Sequence, residues 1–197
     1  MKLVFATNNR NKAEEIRQAI DGRFELLTLK EAGINIDIPE PHETLEANAT
    51  EKSTTIYRMI QTSCFSEDTG LEVNALNGEP GVKSARYAGE QRSDNDNITR
   101  LLTELENKKD RSARFRTVIS LIINGEETLF QGICEGTIAL ERRGTHGFGY
   151  DPVFIPSGST RTFAEMDMKD KALISHRGRA TSKLVTFLNN LNIKEES

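Results

Sequence analysis

The hydrophobic pattern of the first third of the chain alternates between strand-like runs and helical spacing. Residues 2–6 form a short apolar run, and after a polar turn the apolar residues of 13–20 recur every three or four positions. Gly22 lies just beyond this helix as a C-cap signal. Residues 24–29 predict a second strand, and residues 44–62 predict a long helix that begins with a threonine N-cap. The predicted order is strand, helix, strand, helix.

An acidic segment interrupts the next apolar stretch. Residues 64–66 and 71–73 have the composition of strands, and Glu67-Asp68-Thr69-Gly70 lies between them. Further on, residues 94–106 carry isoleucine and leucine at helical spacing. This part of the chain predicts two strand pieces around an acidic segment, followed by a helix.

A long hairpin breaks the alternation of helices and strands. Residues 114–123 have the pattern of a largely buried strand, Asn124-Gly125 is a two-residue turn signal, and residues 129–140 form the partner strand. Two closing helices are predicted at 163–173 and 177–191. Because helices interleave with strands but one antiparallel pair interrupts them, the pattern predicts an α/β fold with a mixed sheet.

The size of the chain fits one domain. Its 197 residues, of which 36% are hydrophobic, suffice for one good core and are few for two. We expect a single domain over residues 1–197, with two lobes flanking a cleft. No apolar run is long enough to span a bilayer, and the apolar start is too short for a signal peptide, so we expect a cytoplasmic protein. Residues 194–197 are expected to fray.

The net charge and the cysteine content limit the ligands and metals that the protein is expected to bind. The formal net charge of −4 argues against general binding to nucleic acid or to a membrane surface, which needs a basic face. An anionic substrate would therefore need a local basic cluster. Cys64 and Cys134 lie in apolar, strand-like runs, where a reduced pair of core residues is favoured over a disulfide. Three histidines and no cysteine pair at ligand spacing argue against zinc.

The loop between the first strand and the first helix has the composition of a phosphate-binding site. A polar loop that opens a helix presents unpaired N–H groups and the positive end of the helix dipole. The candidate residues, two of them basic, are Thr7, Asn8, Asn9, Arg10, Asn11 and Lys12. The alternative is an ordinary capped helix with solvated basic side chains, since the glycine spacing of a Walker A loop is absent.

Acidic residues at two places in the chain are candidates for binding a metal ion. Glu40 lies between two prolines, and the pair Glu67-Asp68 lies between the two strand pieces. Carboxylates with no cluster of histidines nearby suit a hard cation such as Mg²⁺, and a buried carboxylate can also accept a proton from an attacking water molecule. The alternative for Asp68 is a turn residue that caps the backbone of Thr69 and Gly70.

Aromatic and polar residues in the last third of the chain are candidates for recognising a base. Phe148 and Tyr150, spaced by Gly149, can sandwich a flat ring, although aromatic residues in a buried segment commonly fill a core. Donors for keto oxygens or phosphates follow further along the chain. They are Lys171, Ser175, His176 and Arg177. A helix-capping role for Ser175 is equally consistent with the pattern.

Five groups of residues occur in a fixed order along nearly the whole chain. They are Thr7-Asn8-Asn9 with Lys12, Ser66-Glu67-Asp68-Thr69-Gly70-Leu71, Pro80-Gly81 with Ser84-Ala85-Arg86-Tyr87, Phe148-Gly149-Tyr150-Asp151-Pro152, and Ser175-His176-Arg177-Gly178. Together they resemble the inosine triphosphate pyrophosphatase family of house-cleaning enzymes. The resemblance implies an elongated, curved mixed sheet flanked by helices, two lobes with a central cleft, and a homodimer. It also implies hydrolysis of aberrant purine nucleotides (ITP, dITP, XTP) to the monophosphate and pyrophosphate, which prevents their incorporation into DNA and RNA.

The same resemblance implies roles for individual positions. Residues 7–12 would hold the triphosphate, with Lys52 as a further phosphate contact from the long helix. Glu40 and Asp68 would ligate Mg²⁺, Asp68 would also accept the proton from water, and Thr69 would contact the substrate. The catalytic set would be Lys12, Lys52 and Asp68. The residues implied to stack on or line the purine are Phe148, Gly149 and Tyr150. Those implied to read the base edge are Asp151, Lys171, His176 and Arg177.

Other functions stay open at this point. A related pyrophosphatase with a preference for modified pyrimidines is one, although the aromatic pair and the donors at 175–177 favour purines. A second is a nucleotide-binding regulatory protein without catalysis, which would have no need of a metal-poised carboxylate such as Asp68. A nucleic-acid-binding module is disfavoured by the net charge and by the lack of a basic stripe.

Overall fold

Strands and helices follow one another in the predicted order, except that the two strand pieces predicted within 64–73 are one strand and that a short strand at Pro80–Gly81 was not predicted. The computed structural model describes the backbone of residues 2–20 and 24–195 and the side chains up to residue 191. The strands are β1 (Lys2–Phe5), β2 (Glu25–Thr28), β3 (Cys64–Val73), β4 (Pro80–Gly81), β5 (Ser112–Ile123), β6 (Glu126–Ile138) and β7 (Phe154–Pro156). The α-helices are α1 (Arg10–Ile20), α2 (Leu45–Ile60), α3 (Asp94–Glu104), α4 (Met168–Ile174) and α5 (His176–Glu195). The predicted C-cap at Gly22 and the end of the predicted frayed tail lie outside the described residues.

The strands form a mixed sheet. They lie in the order β2-β1-β3-β5-β6-β7, and β4 pairs with β3. β1 pairs in parallel with both β2 and β3, whereas β4 pairs antiparallel with β3 and β7 antiparallel with β6. Parallel neighbours need a long crossover such as a helix, and α1 provides one between β1 and β2. The predicted α/β fold with a mixed sheet is confirmed. Over the described ranges, none of the helices combines the length and apolar composition needed to cross a membrane.

The chain divides into two compact units. Unit 1 comprises Met1–Asp68, Thr117–Gly132 and Arg177–Ser197, and unit 2 comprises Thr69–Arg116 and Ile133–His176. The divisions fall within β3, β5 and β6 and at the start of α5. The predicted single domain and its central cleft stay predictions.

Each unit has an apolar core of its own. In unit 1, the rings of Phe5 and Phe65 stack with their centroids 4.5 Å apart. In unit 2, Phe115 and Phe154 pack edge to face at 4.7 Å. Full burial of one such side chain stabilises the folded state by roughly 1.5–3 kcal/mol. These cores let each unit hold buried polar groups at defined positions.

The acidic segment is part of one continuous strand rather than a connection between two. β3 is unbroken, and the side chains of Glu67 and Asp68 are buried within it. Gly70 permits the pairing with β4, because a Cβ on this residue would lie 2.7 Å from the carbonyl oxygen of Gly81. Residues 64–66 and 71–73 are strand, as predicted, but the predicted break between them and the alternative turn role of Asp68 are wrong. Two adjacent acids are typical of loops, but here each carboxylate has its own buried partners.

Two further boundaries were predicted from local signals, the turn between β5 and β6 correctly and the start of α4 incorrectly. Asn124 and Gly125 have φ angles of 51° and 84° and form the predicted turn between β5 and β6. The helix predicted over 163–173 is present, but its predicted start is too early. Residues 163–165 form a short 3-10 helix, and α4 begins after Asp167, whose side chain accepts a hydrogen bond from the backbone N–H of Asp170 at 2.7 Å.

The two cysteines are buried free thiols, as predicted. Cys64 lies in unit 1 and Cys134 in unit 2, and no disulfide joins them. Burial raises the pKa of the Cys64 thiol to about 12, so the thiol stays neutral at physiological pH.

The N-cap of α2 gives a first test of how the sequence builds the fold. The side chain of Thr44 accepts a hydrogen bond from the backbone N–H of Ala47 at 3.2 Å. We expect Thr44→Ala to lower the free energy of unfolding by about 1 kcal/mol, because a helix N–H loses its partner. Urea unfolding followed by circular dichroism measures the change, with Thr55→Ala inside the same helix as the matched control. Alanine favours helix interiors, so an equal loss in the control would contradict the capping role.

Candidate active site

Hydrogen bonds between polar side chains and backbone groups shape the loop between β1 and α1. The Thr7 hydroxyl accepts from the backbone N–H of Asn9 at 3.1 Å, and the Asn9 side chain accepts from the backbone N–H of Lys12 at 3.2 Å. The side chain of Asn8 donates to the carbonyl oxygen of Ile36 at 2.9 Å. Asn9 therefore caps α1, and the predicted loop-to-helix junction is confirmed.

The predicted phosphate-binding residues differ in exposure. Thr7 and Lys12 are half-buried. The exposed members are Asn8, Asn9, Arg10 and Asn11. Polar side chains at the start of a helix, where N–H groups and the dipole favour anions, suit a polyphosphate. Phosphate binding at this loop stays a prediction.

A buried carboxylate joins three separate parts of unit 1. Glu67 accepts hydrogen bonds from Arg177 Nε at 2.7 Å and Nη2 at 3.1 Å, and its Oε1 lies 2.8 Å from Lys12 Nζ. Arg177 also donates from Nη1 to Glu15. The side chain of Glu67 has no exposed surface, and that of Arg177 is 3% exposed. We call Lys12, Glu15, Glu67 and Arg177 the Glu67 cluster.

Mutual pairing keeps the Glu67 cluster ionised. Burial by itself favours the neutral carboxylic acid, but the charges and hydrogen bonds of Arg177 and Lys12 outweigh it and hold the pKa of Glu67 well below its usual range. Burial opposes the charged form of Lys12 as well, yet the Glu67 carboxylate raises the pKa of that lysine. Removing one member would leave its partners charged in a buried site, so the cluster fixes α1 and α5 against β3.

Asp68 faces a second set of partners, because successive side chains of a strand point to opposite faces. Asn48 Nδ2 donates to Asp68 Oδ2 at 3.1 Å. Lys52 Nζ lies 3.8 Å from Asp68 Oδ1, and it donates to Glu40 Oε1 at 2.5 Å and to the backbone carbonyl oxygen of Glu67 at 2.7 Å. The structure thus brings Glu40, Lys52 and Asp68 together in unit 1.

Asp68 differs from the neighbouring Glu67 in its protonation chemistry. Burial raises the pKa of Asp68, and the nearby Glu40 carboxylate adds to this effect. The charges of Lys52 and Lys12 oppose it without cancelling it, so the pKa lies above its ordinary value. A carboxylate of raised pKa is a stronger base than an exposed aspartate. Glu67 is therefore suited to permanent charge, and Asp68 is suited to accept a proton.

Glu40 and Asp68 are suited to hold a hard metal ion. The described parts of the chain contain no grouping of three or more histidine, cysteine, aspartate or glutamate side chains that could hold one. Mg²⁺ needs no such grouping, because it keeps several waters and takes one or two carboxylates together with substrate phosphates. Both carboxylates lie within 4 Å of the same ammonium group, Lys52 Nζ. Carboxylates that share one cation in this way can also supply oxygen ligands to Mg²⁺. Binding of Mg²⁺ stays a prediction.

In unit 2, Asp151 organises residues that were predicted to recognise the base. Its Oδ2 lies 2.5 Å from Lys171 Nζ and accepts from the backbone N–H of Phe148 at 2.9 Å. Lys171 Nζ is 5.2 Å from the centre of the Phe148 ring, within cation–π range. Gly147 is required beside them, since its φ is +75° and a Cβ would lie 2.0 Å from Asp151 Oδ2. The structure thus brings Phe148, Asp151 and Lys171 together.

Other predicted recognition residues lie deeper in unit 2. Tyr150 is 4% exposed, and its hydroxyl donates to the carbonyl oxygen of Ser84 at 2.8 Å. His176 is buried, with its ring stacked on Phe115 at 4.4 Å. Within the predicted aromatic pair, Phe148 is half-buried and Tyr150 packs in the core. Thr69 and Gly149 are half-buried as well. Substrate contacts of these residues stay predictions.

Several residues to which the sequence analysis gave no role carry much of this geometry. They are Glu15, Asn48 and Asp94. Glu67, which was only one of the acidic candidates for a metal ion, is paired with Lys12 and Arg177 instead. Its signal was its place in a stretch predicted to be buried, where a charged residue must be paired. Asp94 had no such signal in the sequence, because its partner lies 55 positions further along the chain. Its side chain accepts a hydrogen bond from the backbone N–H of Gly149 at 2.7 Å.

The Glu67 cluster predicts a pH-dependent stability. We expect Glu67→Gln to lower the free energy of unfolding at pH 7 by about 3–5 kcal/mol, because the buried Arg177 and the half-buried Lys12 lose their carboxylate. The folded-state pKa of Glu67 is depressed, so its stabilisation is present above the unfolded pKa of about 4.3 and is lost as the pH falls below it. Urea unfolding between pH 7 and pH 3 should therefore show the difference between wild type and variant shrinking with acidity.

Glu72→Gln is the matched control on the same strand. Glu72 pairs with Arg114 and Arg116 in unit 2 but keeps 20% of its side chain exposed, so its loss should cost less. A pH-independent difference for Glu67→Gln, or an equal loss in Glu72→Gln, would contradict the buried ion cluster.

Sequence and structure comparisons place the chain among known proteins. The Ham1 family profile matches residues 3–187. A dITP/XTP pyrophosphatase of Flavobacterium psychrophilum is 50% identical over 190 residues, which cover 96% of this chain and 100% of that protein. The dITP/XTP pyrophosphatase of Bacillus subtilis is 41% identical, with 94% and 96% of the two chains covered.

Solved structures agree with the sequence matches. The Ham1 protein of Staphylococcus aureus has a TM-score of 0.87 to this structure at 39% identity, covering 96% of this chain and 99% of that one. A nucleoside-triphosphatase / dITP/XTP pyrophosphatase of Mycobacterium abscessus has a TM-score of 0.75 at 36% identity, with 93% and 98% covered. Similarity of this extent, in sequence and in fold, shows that the chain belongs to the Ham1 family.

Proposed function

We propose that this chain is a nucleoside-triphosphate pyrophosphatase that hydrolyses the aberrant purine nucleotides dITP, XTP and ITP to the monophosphate and pyrophosphate. Removing these nucleotides would prevent their incorporation into DNA and RNA. The observation that carries the proposal is the buried carboxylate of Asp68, with its raised pKa, beside Lys52 and Glu40. Relatives named dITP/XTP pyrophosphatase support the substrate class.

The triphosphate is proposed to bind at the start of α1. Polar residues 7–11 lead into the first turn of this helix, and the N–H groups at a helix start favour anions. Lys12 and Lys52 supply positive charge, and each is held by a carboxylate. Cations held in place before the reaction stabilise charge that develops on phosphate oxygens without further reorganisation.

Asp68 is proposed to accept a proton from the attacking water molecule. The water oxygen would bond to the α-phosphorus, the bond from that phosphorus to the α,β-bridging oxygen would break, and pyrophosphate would leave intact. The buried Asp68 carboxylate, held beside Lys52 and Glu40, is placed to receive this proton. Its hydrogen bond from Asn48 and its proximity to Lys52 keep the carboxylate in one orientation.

Glu40 and Asp68 are proposed to hold Mg²⁺. When bound, the ion would neutralise negative charge on the phosphate oxygens. Lys52, which contacts both carboxylates, offsets the repulsion between them and keeps them close together.

Phe148, Asp151 and Lys171 are proposed to recognise the purine. The half-buried Phe148 offers a ring for stacking. An ammonium carries three N–H donors, so Lys171 can donate to Asp151 and to a keto oxygen at the same time. Hypoxanthine and xanthine have an acceptor at position six, where adenine has a donor. Adenine would leave polar groups of the site unpaired, which disfavours ATP.

The remaining assignments rest on the resemblance and on composition. Thr69, Gly149, Tyr150, His176 and Arg177 keep substrate contact as a predicted role, although the bonds of Arg177 to two carboxylates favour a role in positioning. The homodimer, the cytoplasmic location and the absence of nucleic-acid and membrane partners also stay predictions.

Pyrophosphate release from a panel of nucleotides tests the reaction and its specificity. With Mg²⁺ we expect turnover of dITP, XTP and ITP, with kcat/KM exceeding that of ATP by roughly a hundredfold or more, because adenine mismatches the donors of the site. EDTA should abolish turnover. Orthophosphate as the product would mean that a different bond is cut. Preference for modified pyrimidines, or binding without turnover, would favour the two alternative functions.

Asp68→Asn tests the proton acceptor. We expect kcat to fall by about 10²–10⁴-fold, because an amide of the same shape cannot accept the proton. Circular dichroism and urea unfolding should show that the variant is folded. Asp167→Asn is the matched control, since asparagine also caps helices and this residue caps α4. Full activity of folded Asp68→Asn would remove Asp68 from the reaction.

A further inference from the structure

We infer that Asn48 is a positioning residue, which holds the Glu40 loop and Asp68 in the arrangement that binds the metal–triphosphate complex. The inference rests on the proposed function and adds a residue to it. Asn48 is 1% exposed and lies within the first turns of α2. It touches neither the reacting atoms nor the phosphates in this assignment, and it acts through the two carboxylates.

The amide of Asn48 bonds on both sides at once. One N–H donates to Asp68 Oδ2 at 3.1 Å, and the other donates to the carbonyl oxygen of His42 at 3.2 Å. The side-chain oxygen accepts from the backbone N–H of His42 at 2.9 Å. An amide has two donors and an acceptor, so these three bonds use the group in both of its functions.

The bonds to His42 fix a segment that has no regular structure of its own. Residues 34–41 form neither helix nor strand, and they carry Glu40 only two positions before His42. Both backbone groups of His42 are bonded to the same side chain. Because a loop without such bonds samples many conformations, this pairing restricts where the Glu40 carboxylate can lie.

Helical spacing explains why one face of α2 controls both carboxylates. Asn48 and Lys52 are four positions apart and therefore lie on the same face, one turn from each other. Asn48 bonds Asp68 Oδ2, while Lys52 lies 3.8 Å from Asp68 Oδ1 and bonds Glu40. The two residues hold the acids from two sides, Lys52 by charge and Asn48 by directed hydrogen bonds.

A side chain at position 48 must carry hydrogen-bond donors to bond both Asp68 and the carbonyl oxygen of His42. Alanine or serine would remove the long amide and leave an oxygen of the buried Asp68 without this donor. Partners that orient metal-binding carboxylates commonly change metal affinity by 10–100-fold when they are lost. The expected defect therefore concerns the contribution of Mg²⁺ to nucleotide binding, rather than nucleotide binding without metal.

The experiment measures binding of the nonhydrolysable analogue inosine 5′-(α,β-methylene)triphosphate by isothermal titration calorimetry, with Mg²⁺ and with EDTA. In the wild type, Mg²⁺ should tighten binding. In Asn48→Ala and Asn48→Ser we expect this tightening factor to fall by about tenfold or more. Affinity in EDTA should change by no more than about twofold, because Asn48 bonds His42 and Asp68 rather than residues at the start of α1.

Ser53→Ala is the matched control from the same helix. Ser53 is fully buried, and its hydroxyl lies 2.6 Å from that of Ser120, so its loss also removes a buried hydrogen bond. The Ser53 hydroxyl bonds Thr50 and Ser120 rather than Glu40 or Asp68, so the tightening factor of Ser53→Ala should equal that of the wild type. Urea unfolding of all variants separates lost stability from lost positioning.

Each outcome decides the inference. A wild type without Mg²⁺-dependent tightening would overturn the metal site of the proposed function and the inference with it. Tightening in the wild type that persists in Asn48→Ala or Asn48→Ser would overturn the inference alone. Loss of the fold in both variants, or an equal change in Ser53→Ala, would assign Asn48 a purely structural role and would also overturn it.

Discussion

The charged hydrogen bonds of Glu67 are the interaction on which the rest of unit 1 depends. An ionised carboxylate without exposed surface is strongly unfavourable unless cations pair with it, and Arg177 and Lys12 do so from two other elements. Arg177 is in turn bonded to Glu15. Because every member needs the others, the start of α5, the start of α1 and the middle of β3 are held together as one arrangement.

The alternation of side chains along β3 turns one acidic pair into two different groups. Glu67 faces cations that keep it charged, whereas Asp68 faces Asn48 and Lys52 in surroundings that raise its pKa. A permanently ionised group can position its neighbours, and a carboxylate of raised pKa can accept a proton. Neighbouring residues of the same chemical type thus serve stability and chemistry because their partners differ.

A buried acid has a similar organising role in unit 2. Asp151 bonds both the Lys171 ammonium and the backbone N–H of Phe148, and it requires glycine at position 147. One carboxylate thereby fixes a cation and an aromatic ring next to each other. Both units therefore place their candidate binding groups by pairing a buried acid with a lysine, which makes the geometry dependent on complete burial and complete pairing.

The sequence by itself determined the order of strands and helices, the hairpin at Asn124-Gly125 and the family, because these depend on local spacing, turn chemistry and ordered motifs. It also pointed to Asp68 and Lys52, although not to the continuous strand that carries Asp68. Only the tertiary structure decided which charges meet. Glu67 and Arg177 are 110 positions apart, and the fate of a buried charge depends on partners that local pattern does not contain.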